Sequence, residues 1–160
     1  MDKGEQHILV IEDNEMNREL LTRRLEKEGY SVAKAEDGYI GLGMLDVKKF
    51  DLVMLDLLMP NIDGFEVLDK MQAHPQWKNI PVIVITSIND VDTAAECIKK
   101  GAADYLTKPF HSVILLARVE STLEKKYLRD REVELAKQLK EQNEHLEKLA
   151  EYYRNKNSAS

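Results

Sequence analysis

Three short apolar runs, each closing on a polar side chain, constrain this chain more than any other feature: ILVI before Glu12 and Asp13, LVML before Asp56, and VIVI before Thr86. A strand with one wet face alternates apolar and polar residues, and a surface helix repeats near 3.6. An unbroken apolar run of four does neither. Such runs, β-branched in the first and third, suit parallel strands covered on both faces. Between them the spacing becomes helical, through Met16, Leu20, Leu21 and Leu25 in one segment and Val91, Ala94, Ala95 and Ile98 in another. That period marks these segments as helices. Gly29 and Gly101 stand where those helices should stop, as glycines past a helix C-terminus do. Two weaker strands, SVAKA from Ser31 and DYLT from Asp104, complete an alternation of five strands and five helices. The fold class is therefore α/β: a five-stranded parallel sheet with helices on both faces. Right-handed crossovers leave few topologies, and the flavodoxin-like order 2-1-3-4-5 is the common five-stranded one.

At 160 residues the chain has room for one domain and an appendage,. The formal charge of -6 argues against unspecific binding to nucleic acid or an anionic membrane,. No apolar run of about eighteen residues occurs, and the start MDKGEQ lacks the apolar stretch of a signal peptide, so a cytoplasmic location is expected,. The single cysteine, Cys97, fits a reducing compartment and a packing role,.

From Ser112 onward neither Gly nor Pro appears, and Glu, Lys, Leu and Gln dominate. One long helix to about Asn155 is expected. Leu135, Leu139, Gln142, Leu146, Leu149 and Tyr153 follow the four-three spacing of a coiled-coil seam,. An earlier seam through Leu116, Val119 and Leu123 continues onto Lys126 and Asp130, so the register changes near Leu128,. The reading divides the chain into a domain over 1–123, a helical coiled-coil linker over 124–155 and a disordered tail over 156–160. Alternating charges along the linker also suit a solvated single helix braced by ion pairs. A parallel homodimer with Gln142 holding register is preferred on account of the leucines.

In an open α/β sheet, ligands bind beyond the carboxyl ends of the strands where strand order reverses, here between strands one and three. Glu12, Asp13 and Asp56 belong there. Converging carboxylates raise one another's pKa unless a cation sits among them, and Mg²⁺ suits an all-oxygen site that also shares oxygens with a phosphoryl group. Asp56 is then placed as a nucleophile that forms an aspartyl-phosphate. Thr86 and Lys108 supply the hydroxyl and the cation that phosphoryl transfer needs around the moving oxygens. The plain structural alternatives are an N-cap at Asp13 or Asn14 and a turn residue at Asp56 leading into Pro60 and Gly64.

Taken together, the acidic pair after ILVI, DLVMLDLLMPNIDG around Asp56, Thr86-Ser87 after VIVI, and GAADYLTKPF from Gly101 resemble a two-component response-regulator receiver from about His7 to Leu123. The resemblance implies that Glu12, Asp13, Asp56 and the backbone carbonyl of Leu58 bind Mg²⁺, and that Lys108 contacts the phosphoryl group. It also makes Thr86 the switch hydroxyl and Tyr105 the aromatic switch, with a cis bond between Lys108 and Pro109. The function implied is a phosphorylation-dependent signalling switch, not an enzyme, that takes its phosphoryl group from a histidine kinase or phosphotransfer protein. Leu58 and Ile88 occupy the positions that tune dephosphorylation. Being apolar, they cannot orient a water, so a long-lived phosphorylated state is expected. The helical tail resembles linkers that precede nucleotide cyclases, diguanylate cyclases or phosphatases, which makes such an effector and a homodimer through the C-terminal helix the implied partners. A haloacid-dehalogenase-type phosphatase would need an acid two residues past Asp56, where Leu58 stands. A flavodoxin-type carrier would need a Ser/Thr/Gly-rich phosphate loop after strand one, and none is present.

Overall fold

The computed structural model describes residues 2–159. After a short 3₁₀ turn at Lys3–Glu5, strands and helices alternate: β1 His7–Ile11, α1 Glu15–Lys27, β2 Ser31–Ala35, α2 Gly38–Val47, β3 Leu52–Leu55, α3 Gly64–Ala73, β4 Val82–Thr86, α4 Val91–Lys99, β5 Asp104–Thr107 and α5 Ser112–Ser158. Among the described residues there is one sheet, entirely parallel, in the order β2-β1-β3-β4-β5. This is the flavodoxin-like arrangement anticipated from the apolar runs.

The runs are continuous because both faces of the sheet are covered. Successive side chains leave a strand on opposite sides. Ile8, Val10, Leu52, Met54, Ile83 and Ile85 enter one core with Leu21 and Leu25 of α1 and Leu115, Val119 and Leu123 of α5. Leu9, Ile11, Val53, Leu55, Val82 and Val84 enter the other, with Leu42 and Leu45 of α2, Val67, Leu68 and Met71 of α3, and Cys97 of α4. Trp77 packs at the margin of this second core and stacks on His74, a packing role.

Helices α1 to α4 each begin with a cap. Asn14, Asp37, Asp63 and Asp90 accept from the backbone N–H three residues on, satisfying a donor that the helix leaves free,. It is Asn14 that caps α1, which leaves Asp13 without that duty. Gly29 and Gly101 have φ of 101° and 103°, the left-handed conformation that ends α1 and α4,.

Both helical periods lie in helices, α1 and α4, and each is buried along one edge only. In α1, Leu21 and Leu25 are buried, whereas Met16 is 80% and Leu20 48% exposed. In α4 the buried residue is Cys97, and Val91 and Ile98 are exposed. Apolar spacing marks a stripe but does not say which edge of it meets the sheet, and α4 carries apolar residues on both sides of Cys97. In α5 the buried set is Leu115, Val119, Thr122 and Leu123, with Leu116 only half-buried.

The chain divides into two compact units, one ending at Glu124 and one beginning at Lys125. The second is helical through Ser158, so the helix extends three residues into the segment 156–160 expected to be disordered. Its side chains are exposed nearly throughout, the seam residues Leu135, Leu139, Leu146, Leu149 and Tyr153 among them. Pairs four apart, such as Lys126 with Asp130 at 2.6 Å, brace its surface,.

Gly64, at the start of α3, is crowded by backbone on the side where a Cβ would stand. Its N–H donates to the carbonyl of Leu57, and a Cβ there would lie 2.6 Å from the carbonyl oxygen of Asp56 and 2.7 Å from Cα of Leu57. Both obstacles are backbone and cannot turn aside. Gly64→Ala is therefore expected to lower stability by ~1–3 kcal/mol, read as a shifted urea midpoint with an unchanged slope.

Candidate functional site

Because every strand is parallel, all five carboxyl ends lie along one edge of the sheet. Glu12 and Asp13 follow β1, Asp56 follows β3, Thr86 ends β4, and Lys108 follows β5. The order sets β1 beside β3, so the acidic pair and Asp56 come together at the point where strand order reverses,. One carboxylate oxygen from each of Glu12, Asp13 and Asp56 can lie within 4.8 Å of the other two. Asp13 is exposed, whereas Glu12 and Asp56 are 4% and 8% exposed.

Lys108 compensates part of this charge. Its Nζ is 2.9 Å from Oε1 of Glu12 and 3.3 Å from Oδ2 of Asp56. Burial first, and then the adjoining Asp56 carboxyl, together push the Glu12 carboxyl up to about 7 against the opposing pull of Lys108,. One ammonium thus faces three carboxylates, an excess of negative charge that attracts a further cation. The donors are all hard oxygens, partly open to solvent, which fits Mg²⁺ rather than a softer metal.

The backbone around the carboxylates is held from several directions. Nη1 of Arg18, on α1, donates to the carbonyls of Glu12 at 2.9 Å and Asp13 at 3.4 Å. Leu58 N–H donates to Oδ1 of Asp56 at 3.3 Å, while the Leu58 side chain is exposed. The loop beyond it turns through Asn61, whose φ of 70° is one that Asn tolerates,. Asn17, Ile85 and Phe110 wall a cleft beside Glu12, Asp56 and Lys108. The bond between Lys108 and Pro109 is cis.

Thr86 is fully buried, and its Oγ1 accepts from Ile88 N–H at 3.4 Å. Tyr105 sits partly buried on β5, and its hydroxyl donates to the carbonyl of Ile88. A single peptide segment is therefore gripped from both sides, by Thr86 at its nitrogen and by Tyr105 at its oxygen. Thr86 also accepts Lys108 N–H at its carbonyl, 2.8 Å away. The structure gathers Glu12, Asp13, Asp56 and Lys108 at one point and puts Thr86 and Tyr105 on the two strands leading away from it. Two contributors went unnoticed in the sequence. Arg18 acts on main-chain oxygens, for which no side-chain partner could be sought; Gly64 read as an ordinary turn residue.

The family described as "Response regulator receiver domain" matches residues 8–120. The chain is 40% identical over 114 residues to the response regulator PleD of Caulobacter vibrioides, covering 71% of this chain and 25% of that protein. It is 34% identical over 149 residues to the 3',5'-cyclic-nucleotide phosphodiesterase regA of Dictyostelium discoideum, covering 89% of this chain and 18% of that protein. The chain thus spans a quarter or less of the length of these relatives. Among solved structures it resembles the signal receiver domain of a histidine kinase from Syntrophus aciditrophicus, with a TM-score of 0.70, 31% identity, and coverage of 75% of this chain and 91% of that one.

The pairing of Lys108 also bears on stability. Its removal leaves Glu12 and Asp56 buried side by side without a cation. Lys108→Ala is expected to destabilise the protein by ~1–3 kcal/mol, measured by urea denaturation in chelator; a midpoint equal to that of the parent would show that the ammonium contributes nothing.

Proposed function

The chain belongs to the response regulator receiver domain family, and from that premise we propose that Asp56 is its phosphoryl acceptor, with Glu12, Asp13, Asp56 and the carbonyl of Leu58 holding Mg²⁺. Receivers of two-component systems are phosphorylation-dependent signalling switches, not enzymes as a class, and the family implies a histidine kinase or phosphotransfer protein as donor. The carrying observation is the meeting of three carboxylates with Lys108 at the switch point of the sheet.

Phosphoryl transfer asks for in-line placement and for charge neutralisation around the transferring oxygens. A carboxylate oxygen of Asp56 forms the new P–O bond as the bond to the donor breaks. Bound Mg²⁺ supplies neutralisation of phosphoryl charge. Lys108, released from Asp56, contacts a phosphoryl oxygen, and Arg18 keeps Glu12 and Asp13 in place through their carbonyls. Thr86 is the hydroxyl that turns toward the phosphoryl group. Its movement takes away the oxygen to which Ile88 N–H is bonded, and Tyr105, bonded to the same residue, turns inward with it. Such coupling is a local charge change biasing a two-state element. Neither Leu58 nor Ile88 can orient a hydrolytic water, so the phosphorylated form persists.

The output, in this reading, is α5. Residues 1–123 form the receiver, and 124–155 form a parallel homodimeric coiled coil along Leu135, Leu139, Gln142, Leu146, Leu149 and Tyr153, with an effector such as a nucleotide cyclase, a diguanylate cyclase or a phosphatase joined to it. Support comes from the exposed leucine seam and from the match to regA, whose 89% coverage of this chain reaches past Glu124. No direct contact with nucleic acid is proposed. Among the described residues no helix is long and apolar enough to cross a membrane, and we place the protein in the cytoplasm, where its phosphoryl donors act.

With acetyl phosphate and Mg²⁺, intact-mass spectrometry is expected to show one added phosphoryl group that is lost slowly. Asp56→Asn should show none, and a modified Asp56→Asn protein would exclude Asp56 as the acceptor. For the tail, sedimentation of the full chain should give a dimer, and Leu139→Lys with Leu146→Lys a monomer; a parent protein that loses nothing by these changes has no such coiled coil.

A further inference from the structure

Helix α2 lacks the polar outer face of an ordinary surface helix. Gly38, Gly41, Leu42 and Leu45 face the core. Its exposed side is formed by Tyr39, Ile40, Gly43 and Val47, with Asp46 the single charge within the helix. Tyr39 is 59% and Val47 85% exposed. An added Cβ on Gly43 would meet nothing within 4 Å. Residues three and four away on a helix border the same spot, so Tyr39, Ile40, Asp46 and Val47 ring a notch at Gly43. A helix with such a notch admits a second backbone close to its own, since side chains at the contact set the distance between axes.

The charges flanking this apolar face say what fills it. Glu36 and Asp37 precede the helix, and Lys48 and Lys49 follow it. Let a second α2 lie antiparallel across the first, with the two-fold axis at Gly43. Tyr39 then lies against Val47 of the second copy, and Glu36 and Asp37 lie beside its Lys48 and Lys49. The helix dipoles oppose as well. A parallel arrangement sets like charges together. At ~1.5 Å rise per residue the two Asp46 side chains fall ~9 Å apart along the axis, on opposite sides of the two-fold, and do not clash. The face is thus complementary to itself, which is what a two-fold contact requires.

We propose that α2 is a self-association surface on which a second copy of this chain packs about Gly43. One helix face buries less than the ~1,200 Å² of a stable interface. The contact is therefore weak alone and forms transiently between copies, which is why it is trapped covalently. It does not depend on pairing of the tail.

Disulfide trapping tests it in the full chain, because Cys97 is fully buried and leaves an introduced thiol as the reactive one. Gly43→Cys lies on the two-fold and replaces a residue with open space around it. Glu36→Cys is a control beyond the N-cap Asp37, whose own two copies lie ~18 Å apart along the axis,. Gly43→Cys is expected to cross-link roughly tenfold faster or more, since a disulfide needs Cα atoms within about 7 Å. Adding Lys49→Glu should slow it, and adding Glu36→Lys to that pair should restore it. The order should persist with Leu139→Lys and Leu146→Lys in the tail. Equal rates for the two cysteines, no cross-link at all, or no rescue by the charge exchange each overturn the proposal.

Discussion

The ammonium of Lys108 between Glu12 and Asp56 is the interaction on which the arrangement of the site depends. Two buried carboxylates in contact repel strongly, since little solvent remains to screen them. A lysine reaching in from the far side of the sheet makes that proximity tolerable. It arrives there only because β5, β4, β3 and β1 run side by side in one direction. Reversing any of these strands would carry its terminal residue to the opposite edge. The parallel topology and the acidic site are therefore one design, and the two cores exist to hold both faces of that sheet closed.

The buried strands and their terminal residues were legible because they obey two strong rules at once. An apolar run of four cannot be wet on either face, and a carboxylate directly after it must emerge at the strand end. β2 and β5 were legible for a weaker reason, their place in the alternation of strands and helices. The helix faces were less legible. Met16 and Leu20 in α1 and Val91 and Ile98 in α4 satisfy a helical repeat and yet are exposed, because a repeat constrains angle, not burial. Main-chain recognition was invisible altogether. Arg18 bonds to two carbonyls, Ile88 is held by its own amide and carbonyl, and Gly64 is required by the backbone beside it. None of these has a partner side chain that a sequence could display.

The same distinction applies to the outer surfaces. Leucines at four-three spacing along the second unit and the apolar outer side of α2 are both departures from what solvent alone would select. A core residue is explained by the fold around it. A repeated or self-complementary apolar surface is the observation on which both proposed pairings of copies rest.

Strand order gives the site a direction. Asp56 ends the middle strand, with β1 and β2 on one side and β4 and β5 on the other. On the first side stand the acidic pair, pinned from above by Arg18. On the second stand Thr86 and Tyr105, on neighbouring strands, whose side chains meet at Ile88. One flank is pinned at its main chain and the other is bridged at Ile88. In the proposed switch the change at Asp56 is passed along the bridged flank toward β5 and α5, with the pinned flank as its frame.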